Sequence, residues 1–392
     1  MGALSQLLFV SLLALNAHAQ RPSADLEELA GRNTEFATAL YRKIASYSDD
    51  NLVISPLSVT IGLAALAEGA RSTTSKALLS GLALAPMERD GQPERIPQLL
   101  QQLRETVTQT QATGLFLAQQ FQVDPEFSGQ VKKYYDADVR SVDFGNAQTT
   151  KGIINDYVRS ATGDKVRDFV DSIDPQIKLA LISAAYFRGP WKLPFNASFT
   201  SDERFYIDKY HIVQVPMMFR SDKYYLAYDA KFKVGILRLP CTDGTAMLVL
   251  YPDEDVDYTS IDEAITAEVF VGWVEKLKKT KLEVQLPKFV LEQSYSLKRS
   301  LESIGIKGVF ESTADLSGVS KSQGLQLAEV LHKVSIEVDE RGASGGAVLE
   351  KSPIMASLPP RLTINRPFLF LVYHEATKAL LYMGRVTDPT KK

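Results

Sequence analysis

The sequence predicts a single α+β domain, and three observations carry that expectation. Apolar residues recur at helical spacing in the first half of the chain. In the second half they alternate or run continuously, as in strands, and no Pro/Gly/Ser linker or repeat of 20 to 50 residues divides the two. With 392 residues, 45% of them hydrophobic and 23% charged, the chain is long enough to bury a large core.

The elements follow in order. Leu7 to Leu15 form an apolar run broken only by Ser11, too short to span a bilayer, and Ala17-His18-Ala19 is a small-residue cleavage site. Residues 1–19 therefore read as a secretory leader and 20–392 as a mature extracellular domain. No later stretch approaches the ~18 apolar residues that a membrane helix needs. From Asp25 to Ser46, Leu26, Leu29, Ala30, Phe36, Ala37, Leu40, Tyr41 and Ile44 mark a helix with one buried face. Further helices are expected over Ser58–Gly69, Glu94–Thr108 and Thr149–Ala161. Leu282, Val284 and Leu286 alternate as in a strand, Thr245–Tyr251 is a short apolar run, and Val334–Val338 alternates again. Phe368–Tyr373 and Leu380–Val386, separated by polar His374 to Lys378, predict a buried hairpin. Arg341 to Pro360 fits none of these periods. Small residues there lead into a Pro-bounded tail, the composition of a long functional or disordered loop.

Composition removes several chemistries. Forty-four Lys and Arg against 47 Asp and Glu leave a formal charge of −3, with no global basic field for nucleic acid. The one cysteine, Cys241, permits no intrachain disulfide or cysteine metal cluster and reads as a buried small hydrophobe. His211, His332 and His374 show no metal-ligand spacing, and no glycine-rich phosphate cradle follows a strand, so no metal or cofactor is expected. Gly342-Ala343-Ser344-Gly345-Gly346 matches the nucleophile elbow of α/β-hydrolases, with Glu350 and His374 as the remaining triad candidates. That elbow needs a helix directly after the serine, and the Gly pair followed by Pro353 opposes one.

Several motifs occur together in order: Asn51-Leu52-Val53-Ile54-Ser55-Pro56-Leu57-Ser58, Ile154-Asn155-Asp156-Tyr157-Val158, Phe187-Arg188-Gly189-Pro190-Trp191 and Val215-Pro216-Met217-Met218. Ala314-Asp315-Leu316-Ser317-Gly318, Val338-Asp339-Glu340-Arg341-Gly342 and Asn365-Arg366-Pro367-Phe368-Leu369-Phe370 complete the set. With them the chain resembles the serpin family, in its vertebrate plasma, antitrypsin-like group, from about Asp25 to Lys392. The resemblance implies one serpin domain of about nine helices and three β-sheets, with an exposed reactive-centre loop at about 341–360. It implies a secreted, monomeric inhibitor that is itself the substrate. A serine protease is acylated by the loop, whose N-terminal half then inserts as a new strand of the large sheet and traps the acyl-enzyme.

Fourteen residues beyond Gly342, and nine before Asn365, lies Ala356, so the implied scissile bond is Ala356-Ser357; a register shifted by one gives Met355-Ala356. A small apolar residue before the bond suits an elastase-like pocket, Met355 an elastase- or chymotrypsin-like one, and neither suits a trypsin-like acid. The implied hinge is Glu340, Arg341, Gly342, Ala343, Ser344, Gly345, Gly346, Ala347 and Val348. As a strand it sends Ala343, Gly345, Ala347 and Leu349 to one face and Ser344, Gly346 and Val348 to the other, so the inward face is small and uncharged where the sheet must open to admit it. Gly345-Gly346 stands where inhibitory serpins usually have Ala, which costs about 1–2 kcal/mol of extra ordering entropy. A loop that inserts too slowly is merely cut, so a non-inhibitory carrier or signalling serpin is the alternative.

The resemblance also assigns Ser55, Ser58, Ser183 and His332 to a shutter beneath the sheet, and Trp191 to the breach at its top. Relatives carry Asn or Asp where Ser183 stands. Without the resemblance these residues read as a helix cap, a satisfied buried histidine and a core tryptophan. Asn196-Ala197-Ser198 is a glycosylation sequon. The implied partners are extracellular serine proteases and, within this group, a cofactor protein such as protein Z. Lys132-Lys133 and Lys278-Lys279 read as solvated faces, and only Arg95 and Arg104 on Glu94–Thr108 offer heparin a site there.

Overall fold

The computed structural model describes residues 22–107, 109–341 and 359–392. The expected leader, and the loop from Gly342 to Leu358 with its hinge glycines and both candidate scissile bonds, lie outside the described residues. Nine α-helices form among those described: α1 (Ala24–Ala45), α2 (Pro56–Ala67), α3 (Ser72–Gly81), α4 (Arg95–Thr106), α5 (Pro125–Tyr135), α6 (Ala147–Ala161), α7 (Thr259–Ala264), α8 (Ala267–Lys276) and α9 (Lys298–Ser303). The strands are β1 (Leu52–Ile54), β2 (Thr110–Ala118), β3 (Asp138–Val142), β4 (Leu179–Arg188), β5 (Ser201–Tyr206), β6 (Ile212–Asp229), β7 (Val234–Pro240) and β8 (Thr245–Pro252). They continue with β9 (Lys278–Pro287), β10 (Phe289–Ser296), β11 (Glu329–Val338), β12 (Arg361–Thr363), β13 (Phe368–His374) and β14 (Leu380–Val386).

The first helix shows why the early periodicity is legible. Ser23 accepts from the Leu26 N–H at 3.2 Å, Asp25 and Glu27 sit in the first turn, and Arg42 and Lys43 sit in the last, so cap and charges both suit the helix dipole. Its apolar stripe is buried as the spacing predicts. Helix α2 opens with Pro56, where a missing N–H is harmless, and is buried on every side. It lies against β2 and β4 on one side and β14 on the other, the hinge-pin of the core.

Two hydrogen-bonded sheets enclose that core. The smaller runs β10-β11-β4-β2-β3. The larger runs β1-β14-β13-β8-β7-β6-β9-β12, with β5 added on β6. Along its 18 residues β6 pairs in turn with β5, β9 and β7, so it joins two sheet halves into one ladder, and with the smaller sheet these make up the three expected sheets. The C-terminal hairpin appears as predicted, Phe368 opposite Val386. Gly384 is obligatory in it: a Cβ there would lie 2.4 Å from the Leu52 carbonyl oxygen and 2.4 Å from the Phe370 ring. Phe289 of β10 packs on Phe368 and Phe370 of β13, which ties the two sheets together.

Candidate functional site

The distinctive feature of the smaller sheet is its centre. β11 and β4 pair side by side and parallel, from Glu329 opposite Ala180 to Glu337 opposite Arg188, while β10 and β2 flank them antiparallel. Only the middle of the seam is small on its β4 side, where Ser183, Ala184 and Ala185 face His332, Lys333 and Val334 on β11; larger apolar pairs such as Leu181 with Val330 and Phe187 with Ile336 lie toward its ends. Parallel pairing is slightly weaker per residue than antiparallel pairing. The chain leaves β11 through Asp339 to Arg341, and the described residues resume at Pro359 and Pro360; the Pro360 carbonyl accepts from the Glu283 N–H at 3.0 Å before β12 pairs with β9.

Ser55, Ser58, Ser183 and His332 meet under the middle of this seam, all buried. The Ser55 N–H donates to His332 Nε2 at 3.1 Å, which leaves Nδ1 to carry the ring proton and donate it to the Ser183 carbonyl at 3.1 Å. Ser183 donates to Ser58 at 3.2 Å and Ser58 to the Ser55 carbonyl at 2.9 Å. Tyr295 stacks on the imidazole. Burial holds the His332 pKa down at about 4, so the ring is neutral and both its nitrogens are bonded as a neutral imidazole requires.

The structure adds a member that the sequence reading missed. Gln109, just before β2, donates from Nε2 to the Ser55 hydroxyl at 2.8 Å, and Ser55 donates onward to the Leu381 carbonyl at 3.0 Å. The network thus crosses from the β2-β4 side of the seam to α2 and β14. A second clasp runs from the Tyr382 hydroxyl to the Tyr186 carbonyl, 2.9 Å. Lys333, buried in β11, donates to the carbonyls of Arg167 and Asp168 and pairs with Glu292, each at 2.8 Å. It thereby pins the connection between α6 and β4 to the sheet.

At the top of the seam Trp191 is buried and donates from Nε1 to the Asp339 carbonyl at 2.7 Å. The Asp339 carboxylate bridges Arg188 at 2.5 Å and Arg341 at 2.8 Å. Glu340 pairs with Lys288 at 2.8 Å and accepts from Thr200 at 2.9 Å. Burial raises the Glu340 pKa, but the Lys288 and Thr200 bonds outweigh it and hold the carboxyl below its ordinary range. Glu340 and Arg341 are therefore each held by an ion pair, to Lys288 and to Asp339. Arg188, Lys288 and Thr200 also escaped the sequence reading, since nothing local marks partners that lie over 50 residues from Glu340 and Asp339.

Other expected residues fall apart from this site. His374, proposed for a hydrolase triad, ends β13, buried and bonded to Thr377 at 3.0 Å. Cys241 is buried, and burial pushes its thiol up to about 12, so it is no nucleophile. The described residues hold no group of three or more His, Cys, Asp or Glu fit for a metal.

Residues 31–389 match the serpin family, described as serine protease inhibitor. This chain is a serpin. The protein Z-dependent protease inhibitor of Mus musculus is 33% identical to it over 371 residues, 93% of this chain and 83% of that protein. The crystal structure of the mouse protein superposes with a TM-score of 0.87 at 32% identity, covering 93% of this chain and 98% of that one. Human thyroxine-binding globulin complexed with thyroxine gives 0.85 at 28%, over 93% and 100%. Like other members of its antitrypsin-like group, this serpin is an extracellular protein.

Proposed function

We propose that the protein inhibits an extracellular serine protease by offering the loop as bait, with cleavage at Ala356-Ser357, and by inserting the freed segment between β4 and β11. The observation that carries this reading is the parallel seam. A chain that turns back after β11 enters antiparallel to both β11 and β4, so one parallel ladder is replaced by two antiparallel ones. Residues 342–356 span roughly 50 Å when extended, enough to run beside the ten residues of β4, about 33 Å. Before insertion the serine and histidine network, with the Asp339 and Glu340 ion pairs, holds the seam shut. Shutter and breach are the roles these geometries support for Ser55, Ser58, Ser183, His332 and Trp191.

Ala356 favours an elastase-like target, and Met355 in the shifted register an elastase- or chymotrypsin-like one. Similarity to protein Z-dependent inhibitors supports a cofactor protein such as protein Z as a partner. Tyr210, 89% exposed at the tip of the β5-β6 turn, is the most prominent aromatic available to one. Incubation with elastase tests the reading: an SDS-stable complex and a C-terminal fragment beginning at Ser357 are expected. Cleavage without a complex would favour the carrier reading, which Gly345-Gly346 and the likeness to thyroxine-binding globulin support.

A further inference from the structure

Residues 196–200 form the short turn between β4 and β5, and both stems of the reactive-centre loop converge on it. Thr200 bonds Glu340 on the outgoing stem at 2.9 Å. On the returning stem Arg361 lies over the Phe219 ring, 5.6 Å from its centroid, and Phe219 meets Phe199 edge to face at 6.5 Å. Asn196 caps this 3-10 turn. Its Oδ1 accepts from the Ser198 N–H at 3.0 Å and from the Ser198 hydroxyl at 2.6 Å, while its Nδ2 has no bond among the described residues. Phe199 is 60% exposed, an unusual setting for a large apolar ring. The Phe199 N–H donates back to the Asn196 carbonyl at 2.9 Å, which closes the turn and keeps the two residues on neighbouring positions of it.

We propose that Asn196 carries an N-linked glycan whose first sugar lies on the Phe199 ring, and that the glycan screens the loop so that it limits which proteases reach the bait. The step uses a polyprenyl-pyrophosphate oligosaccharide donor. The Asn196 Nδ2–sugar C1 bond forms, the C1–oxygen bond to pyrophosphate breaks, the amide loses one proton and the lipid pyrophosphate leaves. The sequon turn is already in place, with Oδ1 held by Ser198 and Nδ2 left to react. The screening part rests on the loop being a protease bait.

The test uses the full chain secreted from a glycosylating host. Mass spectrometry of the 196-containing peptide is expected to show hexosamine on Asn196, and Asn196→Gln and Ser198→Ala are each expected to remove it. The rate of loop cleavage by elastase is then measured, a readout that exists whether or not a stable complex forms. Both variants are expected to be cut about threefold faster or more than wild type. Phe199→Ala should keep the sugar and give an intermediate rate. An unmodified Asn196 overturns the site, equal cleavage rates in all four proteins overturn the screening, and a Phe199→Ala rate equal to wild type overturns the packing. Loss of complex formation in wild type alone would strike only the inhibitor reading.

Discussion

The two sheets of this molecule are built to opposite specifications. In the larger, β8, β13 and β14 are antiparallel neighbours filled with large side chains: Phe368, Leu369, Phe370, Leu371 and Val372 are all fully buried. Beside them Arg385 is buried with its guanidinium on Asp262 at 2.5 Å, and Tyr41 donates to the same carboxylate. In the smaller sheet the central pair is parallel, small on the β4 side only at Ser183, Ala184 and Ala185, and held from below at that point by neutral hydrogen bonds. A neutral bond contributes about 0.5–1.5 kcal/mol net, whereas breaking a buried ion pair costs about 3–5 kcal/mol. The larger sheet is fastened by a fully buried ion pair, whereas the middle of the smaller one is held by neutral bonds that can be exchanged singly, with its ion pairs placed toward the top and flank. A fold that must open in one place needs that contrast.

The contrast can be broken from the fastened side first. Arg385→Ala leaves Asp262 buried without its partner and should destabilise the protein by about 3–5 kcal/mol in denaturant unfolding. The loss should be equal in intact and loop-cleaved protein, because β14 and α7 do not take part in insertion. A loss confined to the intact form would mean that the larger sheet moves too.

The seam itself should answer to acid. His332 has a folded-state pKa of about 4 against an ordinary 6.5, so between these values the unfolded chain binds more protons than the native one. Its contribution is complete above about pH 6.5 and is lost as pH falls toward 4, a swing of about 3 kcal/mol. Unfolding measured across that range should steepen accordingly, and His332→Gln should flatten the slope. An unchanged slope would show that the imidazole does not govern the seam.

The smallest expected effect sharpens the account most. Gln109→Ala removes one neutral bond between the start of β2 and the start of α2, worth about 0.5–1.5 kcal/mol. It should destabilise the intact protein by that amount and leave the loop-cleaved form untouched, as the proposed insertion moves the β2-β4 pair relative to α2. Equal effects on both forms would make Gln109 an ordinary core contact.

How much of this was legible depended on the distance over which each feature is encoded. Helix α1 and the β13-β14 hairpin are local patterns, and their spacing and apolar runs placed them within two residues. β4 was not read, because Leu179-Ala180-Leu181-Ile182-Ser183-Ala184-Ala185 is buried on both faces and shows neither a strand's alternation nor a helix's stripe. β2 suffers the same masking over Ala112 to Ala118. The site residues were named by family resemblance, not by pattern: a lone His332 carries no local mark. Gln109 escaped altogether because its meaning lies in a partner 54 residues away. The sequon at Asn196 was plain, but its place between the two loop stems exists only once β4, β5 and β12 are assembled.

The central claim is that the closed, five-stranded sheet lies above a six-stranded alternative and is held there by the seam. Thermal unfolding of the intact protein beside the same protein nicked within residues 353–358 tests it directly. The nicked form should melt well above the intact one, as two antiparallel ladders replace one parallel ladder. Identical melting temperatures would contradict the account.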